Sequence, residues 1–191
     1  MIRVLLLLSL VGCATLPDPS SLIAPRTSAP EKEIFTPAWI NNLDPKHDTG
    51  NLPIALNWPL AHEELLFVGD NSGVMRAFDI KTGQPAWSAV DRGGYHAGPV
   101  IDGEVIYYGN VDGRLYARNW RSGNLLYSID LGASIETAPV IARGRLLVHA
   151  RNHKIFCLDA RTGKIIWAYK RSVPQLTTIQ RSSRPYVSGQ K

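Results

Sequence analysis

An all-β fold, a β-propeller of four-stranded antiparallel blades, is predicted by three features of this sequence. Thr82-Gly83, Ser122-Gly123 and Thr162-Gly163 recur at a spacing of 40 residues. Each of these glycines is followed four residues later by an aromatic side chain: Trp87, Tyr127 and Trp167. Pro59, Pro99 and Pro139 keep the same register, as do Asp79, Asn119 and Asp159 and the segments 65–68, 105–108 and 145–148. A fixed period near 40 residues is the length of one blade in a propeller.

The copy spanning 98–130 shows the elements in order. Pro99-Val100-Ile101 is a short apolar stretch ended by Asp102-Gly103, a pair that supplies the positive φ of a tight hairpin turn. Residues 105–108 are β-branched and aromatic, the composition of a strand packed on both faces. Gly109-Asn110-Val111-Asp112-Gly113 makes the next turn, and 114–118 alternates polar and apolar as a half-exposed strand does. Arg121-Ser122-Gly123 turns again, and 124–130 forms the outermost strand. The unit is an antiparallel meander.

Such a sheet is apolar on both faces and cannot bury them alone. Stacking blades around an axis covers both, so the repeat implies a ring. Each terminal aromatic can bury roughly 150–250 Å² against the next blade. At about 25 cal/mol per Å², that is several kcal/mol per interface. Loss of Trp87 or Trp167 is therefore expected to cost more than loss of a turn glycine.

The third copy departs from the pattern. His149 and His153 stand where the earlier copies have Gly69 and Gly73, then Gly109 and Gly113. Asn152 is the residue expected to take the left-handed position, which Asn tolerates well. The register places both histidines on a hairpin turn with no Glu after the first, unlike a helical zinc pair, so no metal site is expected.

Met1-Ile2-Arg3 is a short basic start, and 4–11 is an apolar run of signal-peptide length, too short to span a bilayer. Leu10-Val11-Gly12-Cys13 resembles a lipobox, the processing signal of bacterial lipoproteins. That resemblance implies a signal peptide over 1–12, cleavage before Cys13 and lipidation of Cys13. Ala14 rather than Asp after the cysteine implies sorting to the outer membrane. Cys157, between Phe156 and Leu158 on a strand, reads as a buried, inert thiol. Residues 13–51 form a Pro- and Ser-rich tether, in which Ile34, Phe35 and Trp39 are apolar enough to dock on the propeller as an edge strand. The propeller is assigned to 52–191.

Gly98-Pro99, Ala138-Pro139 and Arg184-Pro185 mark successive blade starts, the last displaced by six residues. The sequence thus holds about three blades and the opening of a fourth, whereas closed propellers have four to eight. The expectation is an incomplete ring, a fragment or a truncated reading frame, with two blade faces uncovered. The net charge is +5 and the pI about 9.4, with Lys170, Arg171, Arg181, Arg184 and Lys191 near the end. For an exported chain, anionic lipid headgroups, an acidic protein or simply a solvated basic surface suit this balance better than nucleic acid does.

The segment Leu158-Asp159-Ala160-Arg161-Thr162-Gly163-Lys164-Ile165-Ile166-Trp167 resembles the repeat of the pyrroloquinoline-quinone-like propellers, and 78–87 matches it nearly as well. Together with the lipobox and tether, 167–176 running into Ser182-Ser183-Arg184-Pro185 resembles the BamB family of outer-membrane assembly lipoproteins. The loop pattern of that family is matched by Val173, Pro174, Leu176, Ser183 and Pro185. Thr178-Ile179-Gln180-Arg181 stands where Leu-Arg-Gly is expected, with one extra residue. The resemblance implies a non-catalytic scaffold without a cofactor. It also implies that Leu176, Ile179 and Arg181 contact the periplasmic domains of a barrel-inserting outer-membrane partner. The six-residue insertion supports a functional loop independently, because a propeller needs only a short link there.

Two other functions fit the repeats. A quinoprotein dehydrogenase would carry adjacent cysteines and calcium-binding carboxylates; Cys13 and Cys157 are isolated, and no nucleophile elbow, P-loop or carboxylate dyad stands out. A periplasm-facing propeller lipoprotein with an unrelated partner is the other.

Overall fold

Each repeat folds into one sheet, closed each time by the same turns. The computed structural model describes residues 36–43, 57–151, 153–170 and 183–188. The first sheet contains β1 (Leu60–His62), β2 (Leu65–Gly69), β3 (Val74–Asp79) and β4 (Pro85–Val90). The second contains β5 (Val100–Asp102), β6 (Val105–Gly109), β7 (Arg114–Asn119) and β8 (Leu125–Asp130). The third contains β9 (Val140–Ala142), β10 (Arg145–Ala150), β11 (Lys154–Asp159) and β12 (Ile165–Lys170). Strands pair antiparallel in chain order, and no helix occurs among the described residues. The predicted meander is present three times.

The turn between the third and fourth strands is built around one side chain. Asp79 Oδ1 accepts hydrogen bonds from the Thr82 N–H at 2.7 Å and the Thr82 hydroxyl at 2.9 Å. Asn119 does the same with Ser122 at 3.0 and 3.2 Å, and Asp159 with Thr162 at 2.9 and 2.8 Å. An Asx side chain folded onto the chain three residues ahead is a self-contained turn device. The N–H and hydroxyl of Thr82 hold the Asp79 carboxyl below the ordinary carboxylate value. One strand back from each turn the register shifts by a residue, at Ala77/Phe78, Ala117/Arg118 and Cys157/Leu158. The bulge therefore repeats at the same period as the sequence.

The turn between the second and third strands corrects one expectation. In the third copy His153 adopts the left-handed conformation, at φ 59°, while Asn152, for which it was expected, lies outside the described residues. Register decides this, because Gly73 and Gly113 hold the same repeat position at φ 86° and 88°. His149 is not a turn residue: it lies in β10, opposite Ile155. In the first two copies the strand stops where an Asx side chain captures the backbone ahead. Asp70 Oδ1 accepts from the N–H groups of Ser72 and Val74, and Asn110 Oδ1 from that of Arg114. Ala150 has no such acceptor, so β10 continues through it and pairs Ala150 with Lys154.

Side chains alternate between neighbouring sheets, which places the core between blades. Ile106 and Tyr108 of β6 join the cluster shared with the first sheet, whereas Tyr107 joins the one shared with the third. Leu115 and Ala117 of β7 face the third sheet and Tyr116 the first. Cys157 is buried and unpaired, and burial pushes its thiol up. The largest fully buried side chain is Trp120, only 1% exposed. It meets Phe67 edge-on at 6.4 Å and His62 at 4.9 Å, and its indole N–H donates to the Gly103 carbonyl at 3.1 Å. Trp167, by contrast, is 47% exposed on β12. Trp120→Ala should therefore cost about 3–5 kcal/mol. Trp167→Ala should cost under about 1 kcal/mol in this chain. Urea denaturation of both variants checks the order, and equal losses would contradict it.

Candidate functional site

The predicted repeat residues meet across the blade boundaries. The ring of Trp87 lies on Gly123 so closely that a Cβ added there would come within 2.7 Å of it, and the ring of Tyr127 lies on Gly163 in the same way, at 2.6 Å. Each aromatic also donates a hydrogen bond to a carbonyl three residues before its glycine. Trp87 Nε1 reaches Trp120 O at 2.8 Å, and the Tyr127 hydroxyl reaches Ala160 O at 2.7 Å. Gly123 and Gly163 both have φ 73°, so the absence of a side chain serves the backbone and the ring together. Burial is the main reason the Tyr127 hydroxyl is held well above its ordinary pKa.

Gly83 carries the same contact, with its aromatic supplied from outside the repeats. Trp39 lies on Gly83, where an added Cβ would sit 2.6 Å from its ring, and its Nε1 donates to Ile80 O at 2.8 Å. Asn41 Nδ2 donates to Gly83 O at 2.7 Å, and Trp39 packs beside Phe78 at 6.2 Å. Trp39 docks without forming the expected edge strand; Ile34 and Phe35 lie outside the described residues. The first blade's turn is therefore covered, where two uncovered faces were expected. Trp167 holds the β12 position equivalent to Trp87 and Tyr127, yet no glycine seat meets it among the described residues.

A buried polar cluster between the first two blades escaped the sequence analysis. Asp91 Oδ2 accepts from the Tyr95 hydroxyl at 2.6 Å and the Tyr108 hydroxyl at 3.0 Å. Arg118 Nη2 pairs with Asp91 Oδ1 at 2.7 Å, and its Nε donates to the Tyr108 oxygen at 2.7 Å. Arg118 Nη1 also donates to the Gly123 carbonyl at 3.0 Å, which ties the cluster to the Trp87 seat. Burial foremost, with the neighbouring Asp91 carboxylate, pushes the Tyr108 hydroxyl well above its ordinary pKa. The positions 40 residues later are Leu131, Ile135, Val148 and Leu158, all buried and apolar. An open cleft of about 520 Å³ beside the cluster is lined by Val90, Asp91, Arg92, Arg114 and Tyr116.

Cys13, Leu176, Ile179 and Arg181 lie outside the described residues. Both flanks of the surplus loop are described. β12 ends at Lys170, and the Ser183 carbonyl lies 2.9 Å from His149 Nδ1. Pro185 and Tyr186 line a cleft with Val140 and Ile141 of the third sheet. Among the described residues no three His, Cys, Asp or Glu side chains converge as metal ligands.

Removing Arg118 alone would strand the Asp91 charge in the interior. Arg118→Leu should cost about 3–5 kcal/mol by denaturant unfolding. Adding Asp91→Asn, which removes the charge but keeps an acceptor for both tyrosines, should recover a large part of that loss. No recovery would mean that the arginine acts by packing and not by pairing.

The family model described as "Outer membrane protein assembly factor BamB" matches residues 92–191. The assembly factor BamB of Nitrosomonas eutropha is 27% identical over 160 residues, covering 84% of this chain and 36% of the relative. The dehydrogenase subunit of a quinone alcohol dehydrogenase from Gluconacetobacter polyoxogenes is 25% identical, over 69% of this chain and 21% of that protein. Among solved structures, BamB from Moraxella catarrhalis shares the fold with a TM-score of 0.58 at 22% identity, covering 65% of this chain and 38% of that one. The chain thus spans about a third of the length of the assembly factors it resembles. With more than half of its residues matched by one family model, the chain belongs to the BamB outer membrane protein assembly factor family, a branch of the PQQ-repeat propellers.

Proposed function

We propose that the protein is a non-catalytic scaffold at the outer membrane, anchored through lipidated Cys13 and supporting assembly and insertion of β-barrel proteins. The observation that carries this reading is the family match over 92–191, the stretch that holds the second and third blades and the surplus loop at 173–184. Blades locked to one another by seated aromatics make a stiff support. The described flanks of the surplus loop are the end of β12 at Lys170 and the Ser183 carbonyl beside His149. Leu176 and Ile179 supply apolar anchors and Arg181 a fixed charge, the composition of an interface hot spot. Several acyl chains on Cys13 would give stable anchoring, where a single chain is marginal.

The similarity to the quinone alcohol dehydrogenase subunit favours a second reading, a cofactor-binding propeller. Saturable binding of pyrroloquinoline quinone with calcium to the chain would support that alternative.

Leu176→Ala combined with Arg181→Ala should weaken capture of the barrel-inserting partner's periplasmic domains by about thirtyfold or more, the effect of losing a true hot spot. Thermal melting of the same variant should barely move. Unchanged capture would remove the loop from the interface. Separately, Cys13→Ser should abolish incorporation of a radiolabelled fatty acid in cells, and undiminished label would refute the anchor.

A further inference from the structure

The space that Trp120 fills between the first and second blades is a cavity between the second and third. Ala160 holds the repeat position of Trp120 there, and it lines a cavity of about 330 Å³ together with Tyr107, Tyr127, Asp102 and Arg161. These walls correspond, one repeat on, to the side chains around Trp120. Tyr107 stands for Phe67 and Asp102 for His62, the two rings that meet the Trp120 indole edge-on. Tyr127 stands for Trp87. Trp120, Trp87 and His62 are thus all replaced by smaller side chains, and ring-sized space remains. The hydroxyls of Tyr107 and Tyr127 both donate to the Ala160 carbonyl, at 3.1 and 2.7 Å, so the donors of this wall are satisfied.

We propose that this cavity binds a small, neutral aromatic compound of the indole class, a flat ring with one N–H, seated as Trp120 is seated. The features that hold the Trp120 ring recur around the cavity. The Trp120 N–H donates to the carbonyl of Gly103, whose φ is 57°. Arg143 is the counterpart of Gly103, at φ 51° in the equivalent hairpin turn, and Gly144 beside it lines the cavity. An acceptor for a ring N–H therefore stands at the same register. The Arg121 guanidinium lies over the Trp120 ring, 4.3 Å from its centroid, and Arg161 is its counterpart on the cavity wall. Glu63 pairs with Arg121 at 2.9 Å, whereas the residue one repeat after Glu63 is Gly103. No carboxylate at that position competes with a ring for Arg161.

Charge and size narrow the ligand. Asp102 and Asp159 set two carboxylates against the one guanidinium on the wall, which disfavours an anion. The volume lies at the small end of ligand cavities, which span roughly 300–1,000 Å³, and suits a single fused ring. Pyrroloquinoline quinone, larger and a tricarboxylate, is disfavoured on both counts, so this site stands apart from either reading of the protein's function.

Calorimetric titration of the full chain with indole tests the proposal, with circular dichroism confirming the β fold of each variant. Indole should bind saturably. 1-Methylindole, which lacks the N–H, and indole-3-acetate, which adds a charge, should each bind about fivefold more weakly or worse. Ala160→Trp, which puts the chain's own ring in the cavity, should weaken indole binding by about tenfold or more. Arg161→Ala, which removes an exposed side chain, should weaken it by about two- to fivefold through the lost cation–π contact. Absence of saturable indole binding overturns the inference, as does indole binding unchanged by Ala160→Trp or either analogue binding as tightly as indole. If overpacking prevents Ala160→Trp from folding, Ala160→Leu is titrated under the same criterion. A Gly-Trp-Gly peptide that binds where free indole does not also overturns it, because the cavity would then receive a partner's side chain and not a small compound.

Discussion

An aromatic ring resting on a glycine that has no room for a Cβ joins each blade to the next. The contact needs four conditions at once: a backbone in the left-handed region, no side chain, a carbonyl pointing outward and a donor on the ring. The Asx turn, folding Asp79, Asn119 or Asp159 onto its own backbone, sets the backbone and the carbonyl, and the glycine itself leaves the room. The neighbouring blade supplies the donor. Local turn chemistry and long-range packing therefore cannot be separated here. A substitution at Gly123 would strain the turn and evict Trp87 together, so the contrast drawn from sequence between losing a tryptophan and losing a turn glycine treats two halves of one contact as independent.

Much of the fold was legible because one period governs it. The three turns, the four strands and the seat glycines all follow from the forty-residue spacing, and the structure repeats even the bulge at that step. The misses occur where one copy departs from the others. Without an acceptor at Ala150 the strand runs on, so His149 lies in a strand and His153 takes the strained turn position. Trp120 went unnoticed because Ile80 and Ala160 share its repeat position, so no periodic signal marked it.

The candidate site was legible to a different degree. Trp87, Tyr127 and their glycines were found as repeat residues, but their partners across the boundary were not, since spacing alone does not say which blade a side chain faces. Asp91, Tyr95, Tyr108 and Arg118 were invisible for the opposite reason: one step later the chain has Leu131, Ile135, Val148 and Leu158 in their places. A comparison of copies position by position, looking for charge set against leucine, would have found them. The loop residues Leu176, Ile179 and Arg181 were reached through family resemblance and surplus length.

The charged cluster around Asp91 and Arg118 has a consequence for assembly. Seats built to one pattern are interchangeable, and a chain of like blades could stack them in the wrong order or trade them with a neighbour. The polar cluster breaks that degeneracy. The first blade's Asp91, pressed against the third blade instead of the second, would meet Leu158 where it needs Arg118, and its charge would be buried with no counter-ion. Buried charge at one interface thus acts as an address: a misordered stack is penalised before any of its aromatic seats can compensate.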